Sequence, residues 1–311
     1  MPLTPVISVK PLTRIDYERR LQRVLGYIRQ HLDQELNLAQ LADIAHFSPY
    51  HFHRIFRGLV GENLGSHVKR LRMERAASDL LYTQQSVTEA AFDAGFETPE
   101  SFSRAFKKSF GVTPSRYRKE SGFCFPDKAP NGLWTTAMEF QFDRLWDDKD
   151  GPMKLNVQIE NHDEMHIAFV RHQGAYEEVE PVFDKLYALA EKANILLWDD
   201  AEIIMLSHDD SNITESKYLR ADAGIVIPNL VCEIGEMQKQ TIEAGQFAVA
   251  HFQGAYDYLD EAYDWIYGGW LPDSGREAAD GPAIEIYHND PMNVVVAKLL
   301  TEIRIPLVAR S

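Results

Sequence analysis

Cysteine is nearly absent from this chain of 311 residues, with only Cys124 and Cys232 present. They lie far apart and in no CxxC spacing, so neither a disulfide framework nor a thiolate metal site is supported. Long apolar runs are missing as well. No stretch of about 18 apolar residues exists to span a bilayer, and the opening "MPLTPVISVKPLTRIDYERR" lacks the apolar centre of a signal peptide. The expectation is a cytoplasmic protein with no membrane partner, and no pattern asks for a cofactor or a metal. Positive charge is the third shortage: 32 Lys+Arg stand against 47 Asp+Glu, for a formal net charge of -15. The shortage is uneven. Residues 1–122 hold 18 Lys+Arg against 13 Asp+Glu, a net of +5, whereas residues 123–311 hold 14 against 34, a net of -20. Such asymmetry fits a part that binds nucleic acid joined to a part that stays off the phosphate backbone.

What is present begins with two similar stretches in the basic part. In "LAQLADIAHFSPYHFHRIFRGLVG", Leu38, Leu41, Ala42 and Ala45 recur at helical spacing, and Ser48 with Pro49 forms an N-cap and first-turn pair. On the following helix Phe52, Ile55, Phe56 and Leu59 fall on one side, leaving Tyr50, His53, Arg54 and Arg57 to face outward. The second stretch, "VTEAAFDAGFETPESFSRAFKKSFGVTPSRYR", repeats the plan: Gly95 permits a turn, and Thr98 with Pro99 opens the next helix. Its inner side is Phe102, Ala105 and Phe106; its outer side is Glu100, Ser103, Arg104, Lys107 and Lys108. Arg54 and Arg104 hold equivalent wheel positions. A helical period through Val68, Leu71, Ala76, Leu80 and Leu81 predicts a long connecting helix. Two recognition helices held about 34 Å apart can enter successive major grooves on one face of a duplex. His51 and His53, two apart, lie on different helix faces, which argues against a metal pair.

These two stretches closely resemble the paired helix-turn-helix units of AraC/XylS transcription regulators, over about residues 17–120. The resemblance implies promoter DNA as partner, RNA polymerase as a second partner, and activation as the usual direction. It also implies base-facing positions at Tyr50, His53 and Arg54 in the first unit and at Glu100, Ser101, Ser103 and Arg104 in the second. Phosphate contacts then fall to Arg57, Lys107 and Lys108.

The acidic part is a duplication. "HQGAYEEVEPVFDKLY" at 172–187 aligns without gaps to "FQGAYDYLDEAYDWIY" at 252–267, an offset of 80. Each copy reads strand, helix, strand, strand, which predicts a sheet assembled from two halves with helices on one face and a pocket on the opposite, concave side. The same offset carries "MLSHDD" onto "EIYHND", so Met205 meets Glu285. Alternation along "AIEIYH" puts Glu285 and Tyr287 on one face and Ile284 and Ile286 on the other. If the isoleucines pack under the helices, Glu285 points into the concavity. A carboxylate among aromatics needs a compensating cation or hydrogen bonds, and Tyr176, Tyr256, Trp265, Trp270 and Tyr287 are candidate walls.

"VRHQGAY", "LRADAGIVIP", "VAHFQGAY" and "PAIEIYHNDP" resemble the GyrI-like effector-binding domain. That resemblance implies a pocket for small hydrophobic or amphiphilic compounds, often cationic, faced by the glutamate at position 285. The fold expected is therefore two-domain: an all-α tandem helix-turn-helix head at 1–122, a linker at 123–152, and an α+β domain of duplicated strand-helix-strand-strand units at 153–311. The function expected is a sequence-specific regulator that is not an enzyme. The alternatives are a hydrolase-like use of Glu285 with Tyr287, or a gyrase-inhibitor-like interaction module.

Overall fold

The first helix-turn-helix is built by local signals. Asn37 caps α2 (Leu38–Ala45) by accepting from Ala39 N, and Ser48 caps α3 (Pro49–Val60) by accepting from Tyr50 N. Between them His46 takes the left-handed conformation at φ +53°, where the second unit uses Gly95 at φ +80°. The structure, a computed structural model, describes residues 11–119, 155–195, 201–209, 216–231 and 234–309. Cys124, Cys232 and the expected linker lie outside them.

α1 (Leu12–Gln30) packs across α2, and α4 (Leu64–Tyr82) is the long connector that the period predicts. The second unit follows as α5 (Val87–Asp93), α6 (Pro99–Phe110) and α7 (Pro114–Lys119). Ser86 and Glu89 close a reciprocal capping box on α5, and Thr98 caps α6 by accepting from Ser101 N. Phe102, Phe106, Phe110 and Tyr117 fill a core with Met73, Ala77 and Leu80 of α4, separate from the core of the first unit.

The second part contains β1 (Val157–His162), β2 (Met165–Gln173), α8 (Glu180–Lys192), β3 (Ile203–Ser207), β4 (Arg220–Ile227), β5 (Gln238–Ile242), β6 (Gly245–Gln253), α9 (Leu259–Asp264), α10 (Leu271–Asp273), β7 (Ala283–Tyr287) and β8 (Leu300–Leu307). A π-helical turn, Trp265–Trp270, joins α9 to α10. The strands form one antiparallel sheet in the order β1-β6-β8-β7-β3-β4-β2-β5. The offset of 80 maps β2, β3 and β4 onto β6, β7 and β8 residue for residue. The two halves meet where β3 pairs with β7, and there Met205 lies opposite Glu285 in the register. Glu285 therefore sits on the internal pseudo-two-fold axis. Each half's leading strand crosses over: β1 adds to β6, and β5 to β2.

The helices do cover one face, but the pocket is not on the other. Ile284 and Ile286 pack with Ile204, Leu206, Phe169 and Val249 in a layer contributed by strands alone. The isoleucines are thus away from the helices, and alternation turns Glu285 toward them. The pocket lies on the helical side, between the two half-domains.

A second difference concerns the head. Tyr17, Leu41, Phe52, Phe56 and Leu59 share one continuous core with Ala262, Tyr267, Ile303 and Ile305. The first helix-turn-helix is docked on the second half of the sheet domain. The helical wheel finds α3's apolar side but says nothing of a partner for its polar side, where His53 is buried and Arg54 and Arg57 are half-buried while Tyr50 stays exposed.

Candidate functional site

Glu285 is 3% exposed, and its carboxylate is held by two phenols. Tyr263 Oη donates to Oε1 at 2.8 Å, and Tyr287 Oη donates to Oε2 at 2.7 Å. Burial pushes the Glu285 carboxyl above its ordinary range; the two phenol hydrogen bonds and the charge of Arg54 act in the opposite sense and favour the ionised form. Tyr263 and Tyr287 are driven well above the usual tyrosine value, first by burial and then by the charge of Glu285. Tyr256 is pushed up to about 12, again chiefly by burial. These phenols stay protonated at neutrality and act as hydrogen-bond donors, not as bases.

The carboxylate opens into a cavity of about 250 Å³ lined by Tyr176, Val179, Met205, Tyr256, Leu259, Tyr263 and Tyr287. Its rim carries Glu177, Asp257, Asp260 and Asp264, with Arg54 and Arg57 of α3 on the other side. Of the aromatic residues proposed as walls, Tyr176, Tyr256 and Tyr287 are brought together. Trp265 and Trp270 are not: Trp265 Nε1 donates to Leu155 O, and Trp270 packs against the core under the docked head. Tyr263 is the residue that sequence reasoning missed. The offset of 80 places it on Phe183, so the second copy gains a phenol hydroxyl at 263 and a carboxylate at 285 together, and the two bond to each other. That paired change was the available signal.

The two recognition helices present themselves differently. On α6, Glu100, Arg104, Lys107 and Lys108 are exposed, and Ser101 and Ser103 are half-buried on the same open side. On α3, Tyr50 is exposed, but His53 is 1% exposed, which corrects its outward placement. Arg54 and Arg57 are half-buried against the sheet domain. The Arg54 guanidinium carbon lies 4.0 Å from the centroid of the Tyr263 ring, a cation-π contact. Arg57 bonds to Asp260 at 3.2 Å and to Asp264 at 3.1 Å. His51 is buried between domains: its Nε2 donates to Ala279 O at 2.7 Å, and its Nδ1 accepts from Tyr267 Oη at 2.7 Å.

One further cluster of ligand-type atoms stands apart. Among the described residues His251, His288 and Glu302 have donor atoms within 4.8 Å of one another. Glu302 is engaged by Arg304, and His288 approaches it at 3.1 Å. The first half repeats the arrangement around Asp222, with Arg171 and His208 each at 2.7 Å and Arg171 standing where the second half has His251. Burial opposes ionisation of both acids, yet the hydrogen bonds hold each below its ordinary carboxylate value. The shared feature is a buried acid between a histidine and an arginine, an ion-pair network common to both halves.

A tandem helix-turn-helix head on a duplicated sheet domain with an acidic, aromatic pocket defines a DNA-binding regulator with a small-molecule-binding domain, and comparison with known proteins agrees. The GyrI-like small molecule binding domain family matches residues 155–308, and a helix-turn-helix domain family matches residues 41–120. The right origin-binding protein of Escherichia coli is 32% identical over 280 residues, covering 86% of this chain and 90% of that protein. The chain belongs to this family of AraC-type regulators with a GyrI-like domain. Transcriptional regulator Rob of Salmonella typhimurium is 25% identical over the same shares of both chains, 86% and 90%. The HTH-type transcriptional regulator YbfP of Bacillus subtilis is 35% identical over 102 residues, 33% of this chain and 35% of that protein. No helix among the described residues is long and apolar enough to cross a membrane.

Proposed function

We propose that this protein is a cytoplasmic transcription regulator whose pocket at Glu285 senses a small amphiphilic cation and whose α6 reads a promoter. The observation that carries the pocket assignment is the buried carboxylate of Glu285, held by Tyr263 and Tyr287 and facing a cavity rimmed by four further acids. An ionised group in such surroundings is matched by a cation with an apolar body, which adds contact with the tyrosine faces to the charge interaction. The pocket is read as a sensor and not as an active site. Its phenols are donors at neutrality, so they fix the carboxylate instead of sharing its proton.

On the DNA side, Glu100, Ser101, Ser103 and Arg104 of α6 face the bases, with Lys107 and Lys108 on phosphates. Tyr50, Arg54 and Arg57 of α3 form the second contact when that helix is uncovered. RNA polymerase is the partner through which such a regulator acts. The domain limits proposed are 1–122 for the head and 153–311 for the sensor.

Thermal denaturation of the full chain against matched cationic, neutral and anionic amphiphiles tests the pocket, because ligands specific to the native state raise the midpoint. Stabilisation by cations alone, lost in Glu285→Gln, is the expected result. Equal stabilisation by all three classes, or a cation effect that survives the substitution, removes Glu285 from ligand recognition.

A further inference from the structure

Resting on the pocket assignment above, we propose that α3 is the pocket's own internal occupant: Arg54 and Arg57 hold the place of the cationic effector, and effector binding releases the first recognition helix to DNA. Two independent observations meet at this contact, and a mutual exclusion follows from them.

The first is the asymmetry of the recognition helices. α6 is open, whereas α3 is sealed against the sheet domain, with Arg54 over Tyr263 and Arg57 between Asp260 and Asp264. Tyr263 is the residue that bonds Glu285, so Arg54 reaches the effector carboxylate through one shared side chain. Arg54 and Arg57 are the basic residues lining the cavity; five carboxylates make up the rest of its charge. Withdrawing α3 leaves a purely acidic pocket, which an external cation can neutralise.

The second is the way both internal repeats break at the contact. The two recognition helices align at an offset of 50, which sets Gly58 against Lys108; the two sheet halves align at 80, which sets Gly268 against Ala188. Glycine appears in each case on the copy that touches. A Cβ at Gly268 would lie 2.3 Å from Gly58 O, and one at Gly58 would lie 2.7 Å from Gly268 N. Backbone meets backbone there, and no side chain can be inserted without parting the helices.

The consequence is mutual exclusion. An arginine whose guanidinium lies 4.0 Å from the centroid of a buried tyrosine ring is not available to a guanine edge. Duplex and pocket therefore compete for α3, and a cation that takes the pocket favours the undocked state. Linkage requires the converse: DNA bound to α3 must tighten cation binding by the same factor.

Gly268→Ala tests this, because Gly268 does not line the cavity and belongs to the sheet domain, not to a recognition helix. Two affinities are measured on the full-length protein: benzyltrimethylammonium by calorimetry, and a fluorescent duplex of mixed sequence by anisotropy. Undocking raises the competent fraction for both, so both affinities should tighten, by roughly tenfold if the docked form predominates at about ten to one. Unchanged affinities for both, with cation binding intact, overturn the inference and leave the pocket assignment standing. Absence of cation binding in wild type and variant alike defeats the pocket assignment itself. Weakening of both, in a variant with native circular dichroism, makes the docked form the binding-competent one and also overturns the inference. Should Gly268→Ala fail to fold, Gly58→Ala parts the same contact from the other helix and is read in the same way.

Discussion

His51 carries a pH dependence that can be worked out from its surroundings. Burial lowers its value from 6.5 to about 4, with the charge of Arg54 acting in the same direction and Asp280 and the Ala279 carbonyl opposing it. Tyr267 Oη, the other polar neighbour, donates to Nδ1 and so also suits the neutral ring. Between 6.5 and about 4 the unfolded chain takes a proton that the folded chain refuses, so His51 withdraws stability as pH falls through that window and has no further effect below it. Glu285 works the other way. Its raised value means that the folded chain binds the extra proton above the ordinary carboxylate range, which adds stability on acidification. The two opposing contributions are separated by difference: urea midpoints of His51→Gln should fall less than those of wild type between pH 7 and the lower end of the His51 window. Parallel pH profiles for the two proteins would mean that His51 is not buried neutral at the contact.

Among the elements, the second helix-turn-helix is the most self-contained, and its caps should be measurable in isolation from the docked contact. Ser86 Oγ accepts from Glu89 N while Glu89 Oε2 accepts from Ser86 N. Ser86→Ala should therefore destabilise the α5–α6 unit by about 1 kcal/mol, seen as a lower unfolding midpoint with no change in cation affinity. Loss of cation affinity in that variant would tie this unit to the pocket more closely than its separate core allows. Such caps are also why the head was legible in the sequence: Ser48-Pro49, Thr98-Pro99 and Gly95 are signals within a few residues of the structure they specify. The sheet's strands were legible too, since alternation gives their type and the offset of 80 gives which residues of the two halves are equivalent, though not how they pair. Which face the helices would cover was not. Alternation along β7 separates Glu285 from Ile284 without saying which side α8 and α9 occupy, and that depends on crossings between strands distant in sequence. Gly58 reads as an ordinary helix interior until it is set against Lys108, and Tyr263 as an ordinary apolar-face residue until it is set against Phe183. Both signals are contrasts between copies, not properties of either copy.

Across the whole molecule, charge is arranged so that the acidic half holds part of the basic half away from DNA. The sensor side of the sequence carries a net of -20, from 14 Lys+Arg against 34 Asp+Glu at 123–311, and it meets α3 through Asp260 and Asp264. Binding through phosphate contacts releases counterions, so the logarithm of the affinity falls with the logarithm of salt by about 0.9 for each phosphate neutralised. A docked protein engages DNA with α6 alone; an undocked one adds Arg54 and Arg57. Saturating benzyltrimethylammonium, at matched ionic strength, should therefore steepen the salt dependence by about 0.9, the contribution of the one further phosphate held by Arg57, while Arg54 adds a base contact. Replacing both residues, Arg54→Ala with Arg57→Ala, should remove the added slope and leave the α6 slope as it was. Arg104→Ala, by contrast, should reduce discrimination between sequences with the cation present or absent, because α6 is open in both states. A slope that does not respond to the cation, in a protein that binds it, would mean that α3 stays on the sensor while α6 alone holds the duplex. Regulation would then have to pass through the position of the sensor domain instead of through the number of phosphates the head can reach.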